Sequence, residues 1–211
     1  MSMRGAGLGS SPTDPLAMVG RMGRRKVRTE ELRGELVSVA TGLLADGGTT
    51  AVTTRAVASG AGSSLAAVNE LFGGKAGLVR AIFAEGFARL AAELSALDVT
   101  DDPEADVVEL ALAVRAFARR HPHLHEVMFS RPFAEFRPDD DDTAAAEAIY
   151  RIVVGRVAAV LGPGHAQDAA VGLFAAVQGL VSLESSGLLG DPGTADRRFR
   201  MTVSATLRGF A

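Results

Sequence analysis

Apolar residues recur at every third or fourth position over most of this sequence, which is the spacing of one face of an α-helix. The run Leu32, Leu36, Val39 and Leu43 shows the pattern, and it returns in each later segment. Groups of Gly and Pro separate the segments, and such groups end helices. No segment shows the sustained alternation of a half-buried strand. We therefore predict an all-α protein of about nine helices.

The expected helix bounds follow from these interruptions. Thr29 can cap a first helix, which would end at Asp46-Gly47-Gly48. The other helices are expected at about 54–60, 64–70, 75–95, 103–120, 122–130, 143–161, 166–188 and 193–209. Residues 1–23 are rich in Gly, Ser and Pro, and we expect them to form a disordered tail.

Composition excludes several classes of protein. The sequence has no Cys, so neither a disulfide framework nor a thiolate zinc site is available. No apolar run reaches the ~18 residues that suggest a membrane span. The first residues lack the apolar stretch of a secretory signal. We expect a cytoplasmic protein without membrane contact.

Charge is distributed unevenly along the chain, whose net charge is −3. Residues 21–80 contain nine basic and five acidic side chains, whereas residues 81–211 contain twelve basic and nineteen acidic ones. This asymmetry indicates a compact DNA-binding domain on an acidic body. A solvated charged face is the alternative interpretation.

The segment 54–72, TRAVASGAGSSLAAVNELF, has the pattern of a helix-turn-helix. Ala58 is small enough to let a second helix cross closely, and Gly62 can take a positive φ in the turn. Val68 would hold the second helix against the first, and Ser63 or Ser64 can cap it. Such a second helix presents its other face to the major groove. An ordinary pair of helices in an Ala-rich bundle remains the alternative.

Together with its flanking segments, this region resembles the TetR/AcrR family of transcriptional regulators. The matching elements are LLADGG, TTRAVASGAGSS, and the spacing of Phe72, Lys75 and Leu78. A looser likeness lies in RRHPHLHEVMFSRPF and AVQGLVSLESSGLL. The resemblance implies a DNA-binding domain at residues 24–74 and an effector-binding and dimerisation domain at residues 75–211.

The resemblance also implies which residues contact DNA. The positions that approach phosphates correspond to Thr54, Arg55 and Lys75. The positions that face the groove correspond to Ser64, Leu65, Ala66, Ala67 and Asn69, of which Asn69 can make a bidentate contact to adenine.

Two positions depart from the family pattern. Asn69 stands where the family usually has Tyr, and Leu71 stands where it often has His. Glu70 would repel a phosphate placed close to it. A small-molecule-binding protein with a degenerate DNA-binding domain is therefore the alternative function.

A basic segment precedes the first helix. A mobile arm of this kind can contact the DNA backbone or the minor groove. We expect four of its side chains to contribute to DNA affinity: Arg24, Arg25, Lys26 and Arg28. A solvated tail is the alternative.

Most of the aromatic side chains lie in the C-terminal part, where the resemblance places the effector site. They indicate an apolar pocket for a small hydrophobic or aromatic ligand, with His125, Tyr150 and Gln178 as polar contacts. The candidate apolar residues are Phe83, Phe87, Phe117, Met128, Phe129, Phe133 and Phe174. Plain core packing is the alternative for each of them.

The resemblance makes the last two helices a dimer interface, with two helices from each chain forming a four-helix bundle. The residues expected at this interface are Leu173, Val177, Leu180, Val181, Phe199, Val203 and Leu207. Packing within one chain is the alternative. A twofold dimer predicts a palindromic operator, and repression with release by the effector is what the family implies.

Other sites receive little support. His121, His123 and His125 flank a helix junction rather than one face of a strand, and helix-terminus histidines explain them better than a metal. The acidic run 139–142 lacks the spacing of a calcium loop, so we expect a solvated loop. No catalytic motif is present, so no cofactor and no enzymatic activity are expected.

Overall fold

This computed structural model describes residues 15–130 and 132–211, without the side chains of 15–26, 140, 141 and 145. Nine helices and no strands span this part of the chain, which confirms the predicted all-α fold. The helices are α1 (Pro15–Ala51), α2 (Thr54–Gly60), α3 (Leu65–Phe72), α4 (Lys75–Ser95), α5 (Pro103–Arg120), α6 (Pro122–Phe129), α7 (Asp140–Leu161), α8 (Ala166–Ser185) and α9 (Pro192–Arg208).

Helix α1 begins earlier than expected. Among the described residues it begins at Pro15, so the start predicted at Thr29 is wrong and residues 15–23 are helical. Residues 1–14 of the expected tail lie outside the described residues. The segment before Thr29 is rich in Leu, Met, Arg and Lys, which favour a helix, and it has no Pro after the first position. At the other end Gly48 leaves the helical region with φ 65° and ψ −164°, close to the predicted stop.

Helices α2 and α3 form the predicted helix-turn-helix. The Thr53 hydroxyl accepts a hydrogen bond from Ala56 N at 3.1 Å and caps α2. Ser64 caps α3 in the same way by accepting from Ala67 N at 3.1 Å. Gly62 has a φ of 59°, which only Gly adopts readily, and it turns the chain between the two caps.

Close packing fixes this pair against α1. A Cβ on Gly60 would lie 2.7 Å from Cγ1 of Val39, so a larger residue would require Val39 or α2 to shift. Val68 and Phe72 bury the inner side of α3. Arg33 of α1 lies over the Phe72 ring, 5.3 Å from its centroid. These contacts set the direction in which α3 presents its outer side.

Helix α4 connects this N-terminal unit to the remaining helices. It packs on α1 and α3 at one end and on α5, α6 and α7 along its length. Leu78 and Ile82 are fully buried, and the buried apolar side chains form one cluster that extends from α1 to α9. A displacement of α4 therefore affects both parts of the molecule.

By length and composition, helix α8 is apolar enough to cross a membrane. One such helix is only weak evidence for a membrane span, because core helices of soluble proteins pass the same test. Three of its side chains, Leu173, Val177 and Leu180, are buried in the chain itself. Their burial against neighbouring helices accounts for part of the apolar character of α8, whereas Val171, Phe174 and Leu183 of the same helix are exposed.

Candidate DNA-binding surface and effector cavity

The outer side of α3 is exposed, small and uncharged along most of its length. Leu65, Ala66 and Asn69 are exposed, as is the cap Ser64, whereas Ala67 is half-buried. An exposed helix face of this size fits the major groove, which admits a single α-helix. Four of the five residues expected to face the groove are therefore accessible, with Asn69 as the one amide that can pair with a base edge.

Basic side chains lie at the margins of this surface. Arg55 is exposed on α2, beside the half-buried Thr54 at its first position. Arg28 is exposed on α1 and lines the same shallow groove as Glu70 of α3. The structure thus places a basic side chain on the wall of the groove that also contains the acid expected to repel DNA. The side chains of Arg24, Arg25 and Lys26 lie outside the described ones.

Lys75, the third residue expected to approach a phosphate, is occupied by an internal contact. Its Nζ lies 2.6 Å from Oε1 of Glu135, which belongs to the segment between α6 and α7. The ammonium also lies 5.1 Å from the centroid of the Phe133 ring. The hydrogen bond from Lys75 holds the pKa of the Glu135 carboxyl below its usual value. Sequence reasoning missed this partner because the two residues are far apart in the chain.

An apolar cavity of about 360 Å³ lies between α4, α6, α7 and α8. Its volume falls in the range of about 300–1,000 Å³ that is usual for small-molecule sites. Six of the ten residues expected in the effector site line it: Phe83, Phe87, Met128, Phe129, Tyr150 and Phe174.

The aromatic rings of the cavity form a connected set. Phe83 and Phe87 have ring centroids 4.7 Å apart, and Phe87 meets Phe129 edge-on at 5.4 Å. Phe129 then lies 5.6 Å from Phe174. Aromatic pairs at such separations pack favourably in tilted and edge-on arrangements. The cavity is therefore lined by a connected set of aromatic rings.

Two of the expected effector residues are core residues instead. Phe117 is fully buried and packs on the His121 ring at 5.0 Å, so it lines no described cavity. Phe133 is buried beneath the ammonium of Lys75. The helical pattern could not separate them from the cavity residues, because core and cavity walls are equally apolar.

His125 and Gln178 line a second, more polar cavity of about 580 Å³ between α5, α6 and α8. The Nε2 atoms of both side chains are buried and have no hydrogen-bond partner in the described structure. Burial lowers the pKa of His125, and the neighbouring Gln178 side chain opposes part of that effect. Phe129 and Phe174 line both cavities and lie between them.

The prediction of a solvated loop at residues 139–142 is wrong for Asp142, which is only 6% exposed. Asp142 Oδ2 accepts from Asp139 N at 2.9 Å, and Asp139 Oδ1 accepts from Asp142 N at 3.2 Å. This reciprocal pair caps α7 and starts it three residues before the expected position 143. Asp142 also lines the apolar cavity, a role that sequence reasoning missed.

Arg80 connects this cap to α4 through ion pairs. Its Nη1 is in short contact with Asp139 and lies 3.3 Å from Oδ2 of Asp142. The guanidinium also lies over the Phe136 ring at 5.7 Å. Lys75 and Arg80, both on α4, therefore contact the segment that closes one end of the cavity.

The residues expected at a dimer interface lie mainly inside the chain. Leu173, Val177, Leu180, Phe199, Val203 and Leu207 are buried, and only Val181 is half-buried. They join α8 and α9 to each other and to α5, because each helix turns its most apolar side toward its own core. The exposed apolar side chains of α8 and α9 are different ones: Val171, Phe174, Leu183 and Met201.

Family models match both parts of the chain. The model described as bacterial regulatory proteins, tetR family, matches residues 36–82. The model described as tetracyclin repressor-like, C-terminal domain, matches residues 107–206. No curated protein matches the sequence.

Solved structures share the fold over almost their whole length. A protein with unknown function from Rhodococcus sp. RHA1 is 29% identical, with a TM-score of 0.71 over 84% of this chain and 94% of that one. TetR-Q116A from Acinetobacter baumannii AYE, solved in complex with minocycline, is 21% identical with a TM-score of 0.60 over 84% and 94%. The transcriptional regulator SCO7222 from Streptomyces coelicolor is 20% identical with a TM-score of 0.61 over 84% and 96%.

Proposed function

The chain belongs to the TetR family of bacterial regulators, with an N-terminal DNA-binding domain and a C-terminal ligand-binding domain, and we propose that it is a cytoplasmic repressor released from a palindromic operator by a small apolar effector. Members of this family are in general non-enzymatic DNA-binding proteins. One observation carries the proposal: the helix that carries Lys75 next to the DNA-binding surface also carries Phe83 and Phe87 in the cavity wall.

The expected DNA contacts are of two kinds: contacts to bases select the sequence, and contacts to phosphates supply most of the affinity. Asn69 and Leu65 face the groove on α3, where an amide can pair with adenine and an apolar side chain can pack on a thymine methyl. Arg55 and Arg28 are exposed beside α3 and are suited to phosphates, which carry most of the affinity. A DNA-contacting helix without basic residues is thereby compatible with binding.

Dimerisation would supply the second DNA-binding domain. Val171, Leu183 and Met201 are apolar and exposed on α8 and α9, and a second copy covering them would bury that surface. A twofold dimer places two recognition helices about 34–36 Å apart, one turn of the major groove. Its operator would therefore be palindromic.

Release by the effector requires different affinities of the ligand for two conformations. A near-complete switch needs a difference of about 5.5 kcal/mol. The cavity walls include Phe83 and Phe87 of α4, so a ligand that fits only one position of α4 would favour one placement of α1 and α3, on which α4 packs. This connects occupancy of the cavity to the separation of the two DNA-binding domains.

A gel shift tests this function. We expect the protein to retain DNA from the region upstream of its own gene more strongly than a scrambled fragment, with the difference persisting as salt is raised. The alternative, a ligand-binding protein with a degenerate DNA-binding domain, is favoured by exposed Glu70 on α3. It predicts equal and salt-sensitive retention of both fragments, and that result would reject the repressor.

A further inference from the structure

The apolar cavity carries its charge at one end. Asp142 lines it with a side chain that is 5% exposed, and none of the other described lining residues is acidic or basic. A buried carboxylate in an otherwise apolar cavity favours a ligand group that carries the opposite charge. It disfavours an anionic group in the same space.

The aromatic walls favour the same sign of charge. Phe83, Phe87, Phe129 and Phe174 line the cavity, and an aromatic ring attracts a cation that lies over its face. An anion would meet both the carboxylate and these faces unfavourably. The carboxylate and the rings therefore both favour a cationic ligand over an anionic one.

Asp142 is also held less tightly by its basic partner than the neighbouring carboxylate is. Among the described side chains, Arg80 pairs with two acids: it contacts Asp139 directly and lies 3.3 Å from Oδ2 of Asp142. A cation entering the cavity could therefore take over Asp142 while Arg80 keeps Asp139. Loss of the Arg80 contact to Asp142 would loosen α4 from the start of α7.

We propose that the effector is a lipophilic organic cation with a single positive charge, which binds among the aromatic walls, places its charge at Asp142, and competes with Arg80 for that carboxylate. This inference rests on the proposed function, since it specifies the ligand of the same regulatory cavity. It also provides a route from the cavity to DNA, because Arg80 and Lys75 lie on the same helix, α4.

Two probes of similar size and opposite charge test the ligand class. Tetraphenylphosphonium and tetraphenylborate present the same four rings, and triphenylphosphine oxide serves as the neutral comparison. Isothermal titration calorimetry of the full chain is expected to give an affinity for the phosphonium that is at least about tenfold higher than for either other probe. Binding of neither charged probe, or stronger binding of the borate, would overturn the inference.

A matched pair of variants tests the role of Asp142. Asp142→Asn keeps the shape of the side chain and should remove the preference for the phosphonium. Asp139→Asn also removes a carboxylate from Arg80, but Asp139 does not line the cavity, so this variant should keep the preference. Thermal melts of both variants establish that they are folded. An unchanged preference in Asp142→Asn, or the same loss in both variants, would overturn the assignment.

The calorimetry uses no DNA, so its outcome is independent of the gel shift. Specific DNA retention without preference for the phosphonium would reject the ligand class and leave the repressor in place. Preference for the phosphonium without specific DNA retention would support the ligand class and reject the repressor. When both hold, the phosphonium should release the upstream fragment from the wild type more readily than from Asp142→Asn, and equal release would overturn the exchange with Arg80.

Discussion

The ammonium of Lys75 lies 2.6 Å from the carboxylate of Glu135, and this ion pair joins the first turn of α4 to the segment between α6 and α7. Both side chains are about 40% exposed, so solvent and salt weaken the pair without abolishing it. Lys75 is also the residue expected to approach a DNA phosphate. We therefore expect Glu135 to compete with DNA for the same ammonium.

Replacing Glu135 should strengthen DNA binding. Glu135→Gln removes the competing charge, and exposed ion pairs contribute about 0.2–1 kcal/mol, so we expect an affinity gain of up to about fivefold. Fluorescence anisotropy with the upstream fragment at low salt measures it. Glu147→Gln removes an exposed acid of α7 instead and should change the affinity less. An equal gain in both variants would mean that net charge, and not Lys75, is responsible.

Gly77 should tolerate no side chain. A Cβ at this position would lie 1.8 Å from the carbonyl oxygen of Phe72, so the junction between α3 and α4 would have to open. We expect Gly77→Ala to lower the free energy of unfolding by at least about 1–3 kcal/mol, the usual range for overpacking. Urea unfolding followed by circular dichroism measures it. Gly42→Ala is the control, since nothing lies within 4 Å of its Cβ and Ala favours the helix.

Arg115 should be the most important single charged side chain for stability among α5, α8 and α9. It is 7% exposed and donates to both carboxylate oxygens of Glu184, from Nε at 2.8 Å and from Nη2 at 2.7 Å. Its Nη1 lies 3.3 Å from Asp196. Arg115→Ala leaves the half-buried Glu184 carboxylate without its paired donors and should cost about 1.5–3 kcal/mol, the usual contribution of hydrogen bonds to charged groups. The control is Arg200→Ala, which breaks half-exposed pairs and should cost less than about 1 kcal/mol; similar losses in both variants would contradict the prediction.

His125 should make the protein less stable in mild acid. Burial lowers its pKa in the folded state, so the unfolded chain binds a proton more readily. The stabilisation of the neutral form is present above the unfolded pKa of about 6.5 and is lost as pH falls toward the lowered pKa. Between about pH 7.5 and pH 5.5, the free energy of unfolding should therefore fall less in His125→Gln than in the wild type. Exposed His165→Gln is the control and should behave as the wild type does.

Local patterns in the sequence predict the helices well because their signals are local. The cap at Ser64 and the turn at Gly62 depend on neighbouring residues, and the observed bounds of most helices lie close to the expected ones. The start of α1 differs most from the prediction, since a possible cap at Thr29 does not stop a helix that already has favourable residues before it.

Contacts between distant segments could not be predicted in the same way. Periodicity shows that Phe117 and Leu173 are turned inward, but it does not show whether an inward side chain meets a core, a cavity or a second chain. The ion pair of Lys75 with Glu135 and the burial of Asp142 depend on how the α6–α7 segment folds back on α4. A charged residue in a sequence is normally expected to be solvated, and only the tertiary packing determines where these side chains lie.

The most direct test of the account is selection of fragments of the source genome by the purified protein at moderate salt, followed by sequencing of the retained DNA. We expect one enriched motif with twofold symmetry and half-sites separated by about 10–10.5 base pairs, one turn of the double helix. Asn69→Ala should relax the preference at one base of each half-site, with a loss of about 1–3 kcal/mol in discrimination. Retained fragments without any symmetric motif, or a motif that is unchanged in Asn69→Ala, would contradict recognition of an operator through the outer side of α3.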